Sequence, residues 1–289
     1  MKRVRVGIIG QGRSGHDIHA HSLSTVVPQL FEIAAVSDPL HDRGDRAAKE
    51  FGCAAYTDHR KLLAHPGLDL VVNASPSHLH IPITLEALDA GFNVLCEKPV
   101  ARRAKDVDRI VAKARKRRRL VAAFQQSRFA PFFLKVREVI GSGVLGRIVM
   151  IKVSFSGFGR RWDWQTLQDH NGGNLLNTGP HPVDQVLQLI GTDAMPKVFC
   201  LMDRAVTWGD AEDHVKVILT RPGRPTVDLE ISSCNPYNLY TYQVWGTQGG
   251  LTGTMDHLEW KWFDPAKAPE QHLIEAPLPG PSYCMETLP

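Results

Sequence analysis

In Val6-Gly7-Ile8-Ile9-Gly10-Gln11-Gly12-Arg13-Ser14-Gly15 an apolar, β-branched run passes straight into Gly10-x-Gly12-x-x-Gly15. The run extends from Val4 to Ile9 and predicts a buried strand. Asp17 to Val27 predicts a helix behind the turn, and Phe31 to Val36 predicts a second strand ending in Asp38. Each glycine has a mechanical task. Gly10 permits the tight turn, Gly12 lets the backbone approach a pyrophosphate, and Gly15 lets helix and strand pack closely. The helix start, with Arg13 and Ser14 on the turn, offers unpaired N–H groups and a partial positive charge to that pyrophosphate. Asp38 falls 23 residues beyond Gly15, where an acid that binds the adenosine ribose hydroxyls is expected. The reading is a dinucleotide site, with NAD favoured over NADP because Asp38 repels a 2′-phosphate. Arg43 offsets that repulsion if its loop folds back.

With 289 residues, 43% of them hydrophobic and 22% charged, the chain can bury a large core and is not of disordered composition. A net charge of +4 favours anionic small ligands without implying nucleic acid. The five cysteines, Cys53, Cys96, Cys200, Cys234 and Cys284, form no C-x-x-C pair. They read as reduced thiols of a cytoplasmic protein. No stretch approaches the ~20 apolar residues that span a bilayer, so no membrane is expected. Lys113 to Arg119 is strongly basic, but it falls at a helix end, where cations suit the macrodipole, and no nucleic-acid partner is expected.

Strand-like and helix-like segments alternate through residue 123. Helices are predicted over 42–51, 58–64, 81–90 and 105–117, and strands over 54–56, 69–73, 93–96 and 120–124. That rhythm predicts a doubly wound parallel sheet, an α/β fold with its crevice at the carboxyl ends of the strands. Beyond it, helices are predicted over 131–140 and 174–190. Strands are predicted over 147–155, 197–201, 214–219, 226–232, 240–245 and 258–263. The expected division is a Rossmann domain over 1–123 and an α+β domain over 124–289 with a large, mostly antiparallel open sheet. The proline-rich tail from Asp264 reads as an extended arm.

Three constellations carry chemistry. Glu97-Lys98-Pro99 directly follows a strand and so faces the crevice. Lys98 there can stabilise a substrate alkoxide, the alternative being a surface loop lysine. Ser75, Pro76 and His80, in the loop after Asn73, are expected to line the same crevice. His78 and His80 find no nearby carboxylate or cysteine to complete a metal site, so no metal is expected. His16, His19 and His21 are assigned to packing or solvent exposure. In Asn177-Thr178-Gly179-Pro180-His181-Pro182-Val183-Asp184 one helix would put Asn177, His181 and Asp184 on a shared face, an alignment that Pro180 and Pro182 make approximate, with Asn177 and Asp184 orienting substrate hydroxyls and the imidazole. His181 suits a general base, the alternative being a buried histidine satisfied by backbone. Arg161 and Trp164 suit sugar hydroxyls and faces, or else anchor a domain interface.

The glycine turn, Glu97-Lys98-Pro99 and Gly172-Gly173 through Asp184 together resemble the glucose–fructose oxidoreductase / inositol dehydrogenase / rhizopine catabolism (Gfo/Idh/MocA) family. The resemblance implies a nicotinamide-dependent oxidoreductase acting on the CH–OH group of a sugar, cyclitol or sugar acid. It implies that Lys98 contacts substrate and nicotinamide ribose, that the Lys98–Pro99 bond is often cis, and that His181 is the acid/base. His80 matches a histidine beside the nicotinamide. A homodimer or homotetramer through the C-terminal sheet is also implied. Asn177 departs from the aspartate of many members; an amide can orient a substrate hydroxyl but cannot take a proton or raise the basicity of His181 by charge. Members run some tens of residues longer, so a C-terminal truncation is a further expectation. Two rival readings remain: a glycosidase that uses tightly bound NAD for transient oxidation, and a catalytically inactive dinucleotide- or sugar-binding regulator.

Overall fold

The computed structural model describes residues 2–277 and Met285, so most of the predicted arm beyond Pro277 lies outside the described residues. The chain falls into two compact units. The first comprises the chain up to Gln125 together with Arg161–Pro180 and Thr207–Ala211. The second comprises Gln126–Arg160, His181–Val206 and the described chain from Glu212. The first unit therefore takes in two segments from beyond the linear boundary at residue 123.

The first unit is built on strands β1 (Val4–Ile9), β2 (Phe31–Ser37), β3 (Ala54–Tyr56), β4 (Leu70–Asn73), β5 (Asn93–Cys96) and β6 (Val121–Ala123). They lie in the order β3-β2-β1-β4-β5-β6, and every pairing is parallel. Such strands are covered on both faces, which is why they read as continuous apolar runs. Val6, Ile8, Val36 and Val72 pack with Ala20 and Ala47 in one cluster. Ile9, Val71 and Val94 pack in another with Leu62, Ile83, Leu88 and Ile110. These partners come from α1 (His41–Phe51), α2 (His59–Leu63), α3 (His80–Asp89) and α4 (Ala104–Arg117), and Ala20 from the helix after the glycine turn.

That first helix differs from the expected Asp17–Val27. It starts four residues earlier, runs as Arg13–Ala20 and Ser22–Val26, and is π-wound in both pieces. The early start leaves Gly12 immediately before its first turn.

The second unit holds a seven-stranded sheet of β7 (Ile148–Ser156), β8 (Lys197–Asp203), β9 (His214–Thr220), β10 (Thr226–Ser232), β11 (Tyr242–Gly246), β12 (Gly249–Gly253) and β13 (Leu258–Trp262). The order is β13-β12-β11-β7-β10-β9-β8, and β7–β10 is its one parallel pairing. β12 was not expected, because three of its five residues are glycine. Val215, Val217 and Leu219 alternate with exposed-side neighbours, as do Val227, Leu229 and Ile231. Buried Tyr242 rests against Phe132 and Phe133 of α5 (Pro131–Gly141) and donates to Gln185 Oε1 at 2.8 Å.

The helix expected over 174–190 is broken into α6 (Asn174–Asn177) and α7 (Pro180–Ile190). Pro180 and Pro182 lack the N–H groups that would continue the ladder. Asn177 therefore does not share one helical face with His181 and Asp184. Among the described residues no helix is long and apolar enough to cross a membrane. Cys53, Cys96, Cys200 and Cys234 are free thiols.

Candidate active site

The strand order reverses between β1 and β4, and the loops at their carboxyl ends meet there. Open α/β sheets bind ligands at this switch point. Gly10 has φ +88, and a Cβ on it would lie 2.3 Å from the Ala74 carbonyl oxygen. A Cβ on Gly15 would lie 1.8 Å from the Gly10 oxygen. Both positions exclude any side chain. A Cβ on Gly12 would meet only the tip of Arg43 at 3.8 Å, so its bare backbone faces open space. The three glycines thus form a cradle that fits a pyrophosphate.

Asp38, 4% exposed at the end of β2, ties this turn to the sheet. Its Oδ2 accepts from the Gln11 N–H at 2.8 Å, and its Oδ1 accepts from the Leu40 N–H at 2.9 Å. Each carboxylate oxygen keeps a lone pair for a further donor such as a ribose hydroxyl. Arg43 Nη1 of α1 stands 3.7 Å from the same Oδ2, so the guanidinium does fold back toward the acid.

A cleft of about 590 Å³ joins these groups to the loops after β4 and β5. It is lined by Gly10, Gly12, Arg13, Ser14, Asp38, Arg43, Ser75, Pro76, His80, Glu97 and Lys98. Arg161, Asp163, Trp164, Gln165 and Asn177 complete it from the later segment of the same unit. A cleft of this size holds a cofactor or small ligand.

Lys98 sits between the two halves of this lining. Its Nζ donates to the Asn177 backbone oxygen at 2.8 Å, and its peptide bond to Pro99 is cis. Burial pushes the Lys98 ammonium below the usual lysine pKa. Glu97 draws it back up, while Arg13 and Arg161 press it down. Burial alone would raise the Glu97 carboxyl, but the hydrogen bond from His19 and the Lys98 charge bring it below the usual range. His80 is buried with Nδ1 2.7 Å from the Pro99 oxygen and Nε2 2.8 Å from the Ser75 oxygen. A neutral imidazole can donate to only one of them. Burial nevertheless holds the His80 pKa below its ordinary value.

The segment 161–177 is itself a linked series. Arg161 pairs with Asp163 at 2.7 Å and donates to Gln165 Oε1; Gln165 in turn donates to Asn177 Oδ1 at 3.2 Å. Asn177 therefore holds Gln165 with its side chain and Lys98 with its backbone. Trp164 lies in the cleft wall, and His170 packs edge-on against His78 with ring centroids 4.4 Å apart. Asp163 and Gln165 carried no signal in the sequence, because their roles arise only when this segment folds back on the first unit.

His181 and Asp184 belong to the second unit. His181 Nδ1 lies 3.1 Å from Ser127 Oγ. Both Asp184 oxygens accept from Arg128, at 2.6 and 2.7 Å. His19, assigned from the sequence to packing or solvent exposure, bonds to Glu97, and His16 meets Asp17 and Glu50. Among the described residues no group of three histidine, cysteine or acidic side chains is placed to hold a metal ion.

Two protein-family models match the chain. One describes an oxidoreductase family with an NAD-binding Rossmann fold and matches residues 4–125; the other describes a GFO/IDH/MocA C-terminal domain and matches residues 133–252. The chain is 30% identical over 253 residues to mouse trans-1,2-dihydrobenzene-1,2-diol dehydrogenase, covering 85% of this chain and 73% of that one. It is 38% identical over 151 residues to inositol 2-dehydrogenase 1 of Saccharopolyspora erythraea, covering 51% and 44%. An NAD-binding protein of Listeria innocua superimposes with a TM-score of 0.81 at 27% identity, covering 90% of this chain and 76% of that one. The chain spans 65–66% of the length of two other curated relatives.

Proposed function

The chain belongs to the Gfo/Idh/MocA oxidoreductase family, and on that premise we propose that it oxidises or reduces a CH–OH carbon of a sugar, cyclitol or sugar acid with a nicotinamide dinucleotide. The observation that carries the reading is the position of Lys98. Its ammonium stands in the same cleft as the bare backbone of Gly12 and the carboxylate of Asp38. The relatives named for inositol and dihydrodiol oxidation support the substrate class. When bound, the dinucleotide supplies the hydride acceptor or donor.

Gly10, Gly12, Arg13, Ser14 and Gly15 hold the pyrophosphate, and Asp38 takes the adenosine ribose. Ser75, Pro76, His80 and Glu97 shape the nicotinamide end. Lys98 meets the substrate oxygen and stabilises negative charge as its proton leaves, a contribution that fixed cations make strongly in a water-poor cleft. The resemblance makes His181 the general base of the oxidative direction. Asn177 keeps Lys98 in place, and Arg161 and Trp164 contact substrate hydroxyls and ring faces. Asp184 enters as the anchor of Arg128. NAD is favoured over NADP because of Asp38, with Arg43 moderating the preference.

The protein is also proposed to form a homodimer or homotetramer through its second sheet. Trp245, Phe199 and Leu201 are about half exposed on it, which supports an interface there. Light scattering would read a monomer if this is wrong.

The primary test mixes the protein with NAD or NADP and pooled polyols, aldoses and sugar acids, with Lys98→Ala alongside. Growth of reduced-nicotinamide absorbance in the wild type alone is expected. A flat trace with coenzyme bound would turn the reading toward a redox glycosidase or a non-catalytic regulator.

A further inference from the structure

We propose that His19 is a positioning residue for Lys98, acting through the carboxylate of Glu97. His19 Nε2 lies 3.0 Å from Glu97 Oε1, and both side chains are nearly sealed from solvent, at 4% and 6% exposure. An ionised carboxylate only accepts, so Nε2 carries the hydrogen. The imidazole is braced by Phe124, whose ring centroid is 4.4 Å away. The second carboxylate oxygen, Oε2, accepts from the Lys98 backbone N–H at 3.1 Å. Glu97 also donates its own N–H to the Asn73 oxygen at 2.9 Å. The residue before the lysine is thus fixed at three points, on the first helix, on the end of β4 and on Lys98 itself.

The same arrangement governs charge. Glu97, Arg13, Arg161 and His80 face the Lys98 ammonium, and Glu97 is the anion among them. Glu97 is in turn faced by His19, Lys98 and His80. A buried carboxylate that loses its donor either takes up a proton or turns away. Either result strips Lys98 of its counter-charge and leaves two guanidinium groups and burial acting against its proton.

The assignment rests on Lys98 being the cation that meets substrate, but its test reads Lys98 alone, without coenzyme or substrate. The ionisation of Lys98 in the folded protein is followed by competitive acetylation with acetic anhydride across pH, reading the Lys98 peptide by mass spectrometry. His19→Ala is expected to lower the apparent Lys98 pKa by about one pH unit, the scale of a neighbouring opposite charge. His19→Gln, which keeps a donor, is expected to return it most of the way. If His19→Ala does not fold, His19→Asn, too short to reach Glu97, takes its place with the same expected fall. A Lys98 titration unmoved in a folded His19 variant overturns the proposal. A shifted titration in a protein that turns over no pooled substrate leaves the coupling standing and overturns the proposed activity instead.

Discussion

Lys98 is held by the backbone oxygen of Asn177, at 2.8 Å, and not by its side chain. The lysine's place is therefore indifferent to which residue occupies position 177, whereas its charge is not. Lys98→Ala is expected to lower kcat by about 10²–10³-fold, as loss of one donor to a developing oxyanion does. NADH affinity should stay within about threefold, since remote phosphate and ribose contacts dominate it. Asn177→Asp should keep the lysine seated and move the alkaline limb of the kcat/KM profile up by about one pH unit, because a carboxylate favours the ammonium. Steady-state kinetics across pH, with NADH titration by fluorescence, check both.

Gly12 and Gly15 should respond to alanine in opposite ways. At Gly12 the φ of −74 suits any residue, and the new Cβ has no close protein neighbour. Gly12→Ala should therefore melt within about 0.5 kcal/mol of the wild type yet bind NADH at least about tenfold more weakly. Gly15→Ala would force a Cβ against the Gly10 oxygen and should cost several kcal/mol, on the order of overpacking in a sealed core. Thermal melts and coenzyme titrations separate the two.

Asp38→Ala is expected to weaken NADH by about 10- to 100-fold, the scale of losing charge-assisted hydrogen bonds. It should affect NADPH less, and Arg43→Ala should weaken NADPH more than NADH. The ratio of the two dissociation constants in each variant is the readout. An unchanged ratio in both would remove this pair from coenzyme selection.

His80 gives the fold an acid-sensitive point. Its pKa in the folded protein lies below the unfolded value near 6.5. As pH falls through and below that value, the unfolded chain gains a proton that the folded chain does not. Stability is then fully present above pH 6.5 and declines below it, by up to about 1.4 kcal/mol per pH unit for one such group. His78, lowered by burial and by its histidine neighbours, acts in the same direction. The melting temperature of the wild type should drop more between pH 7 and pH 5.5 than that of His80→Gln.

The parallel sheet, the glycine turn, Asp38 and Lys98 were legible because their signals are local: apolar runs, glycine spacing and position at a strand end. The π-wound start at Arg13 was not, since Arg13-Ser14-Gly15-His16 has no apolar period. β12 escaped notice because glycine carries little strand preference. The helix expected over 174–190 is bounded by glycine at its start and allows for an irregular turn at Pro180 and Pro182; the missing N–H groups divide it outright into α6 and α7. His19 and Glu97 are 78 residues apart, and no periodicity links them; only the packing of the first helix against the end of β5 brings them together.

Arg161, Gln165 and Asn177, which seat and flank Lys98, come from a stretch that returns to the first unit after the chain has laid down only α5 and β7 of the second. Residues 1–125 are consequently not an exchangeable cassette. A chimaera grafting them onto a foreign partner would carry the glycine turn, Asp38 and the His19–Glu97 pair across intact. It would leave behind Arg161, Gln165 and the Asn177 carbonyl, and with them the resting place of the ammonium. Recombination between relatives should accordingly favour crossovers that move residues 161–180 together with the N-terminal sheet.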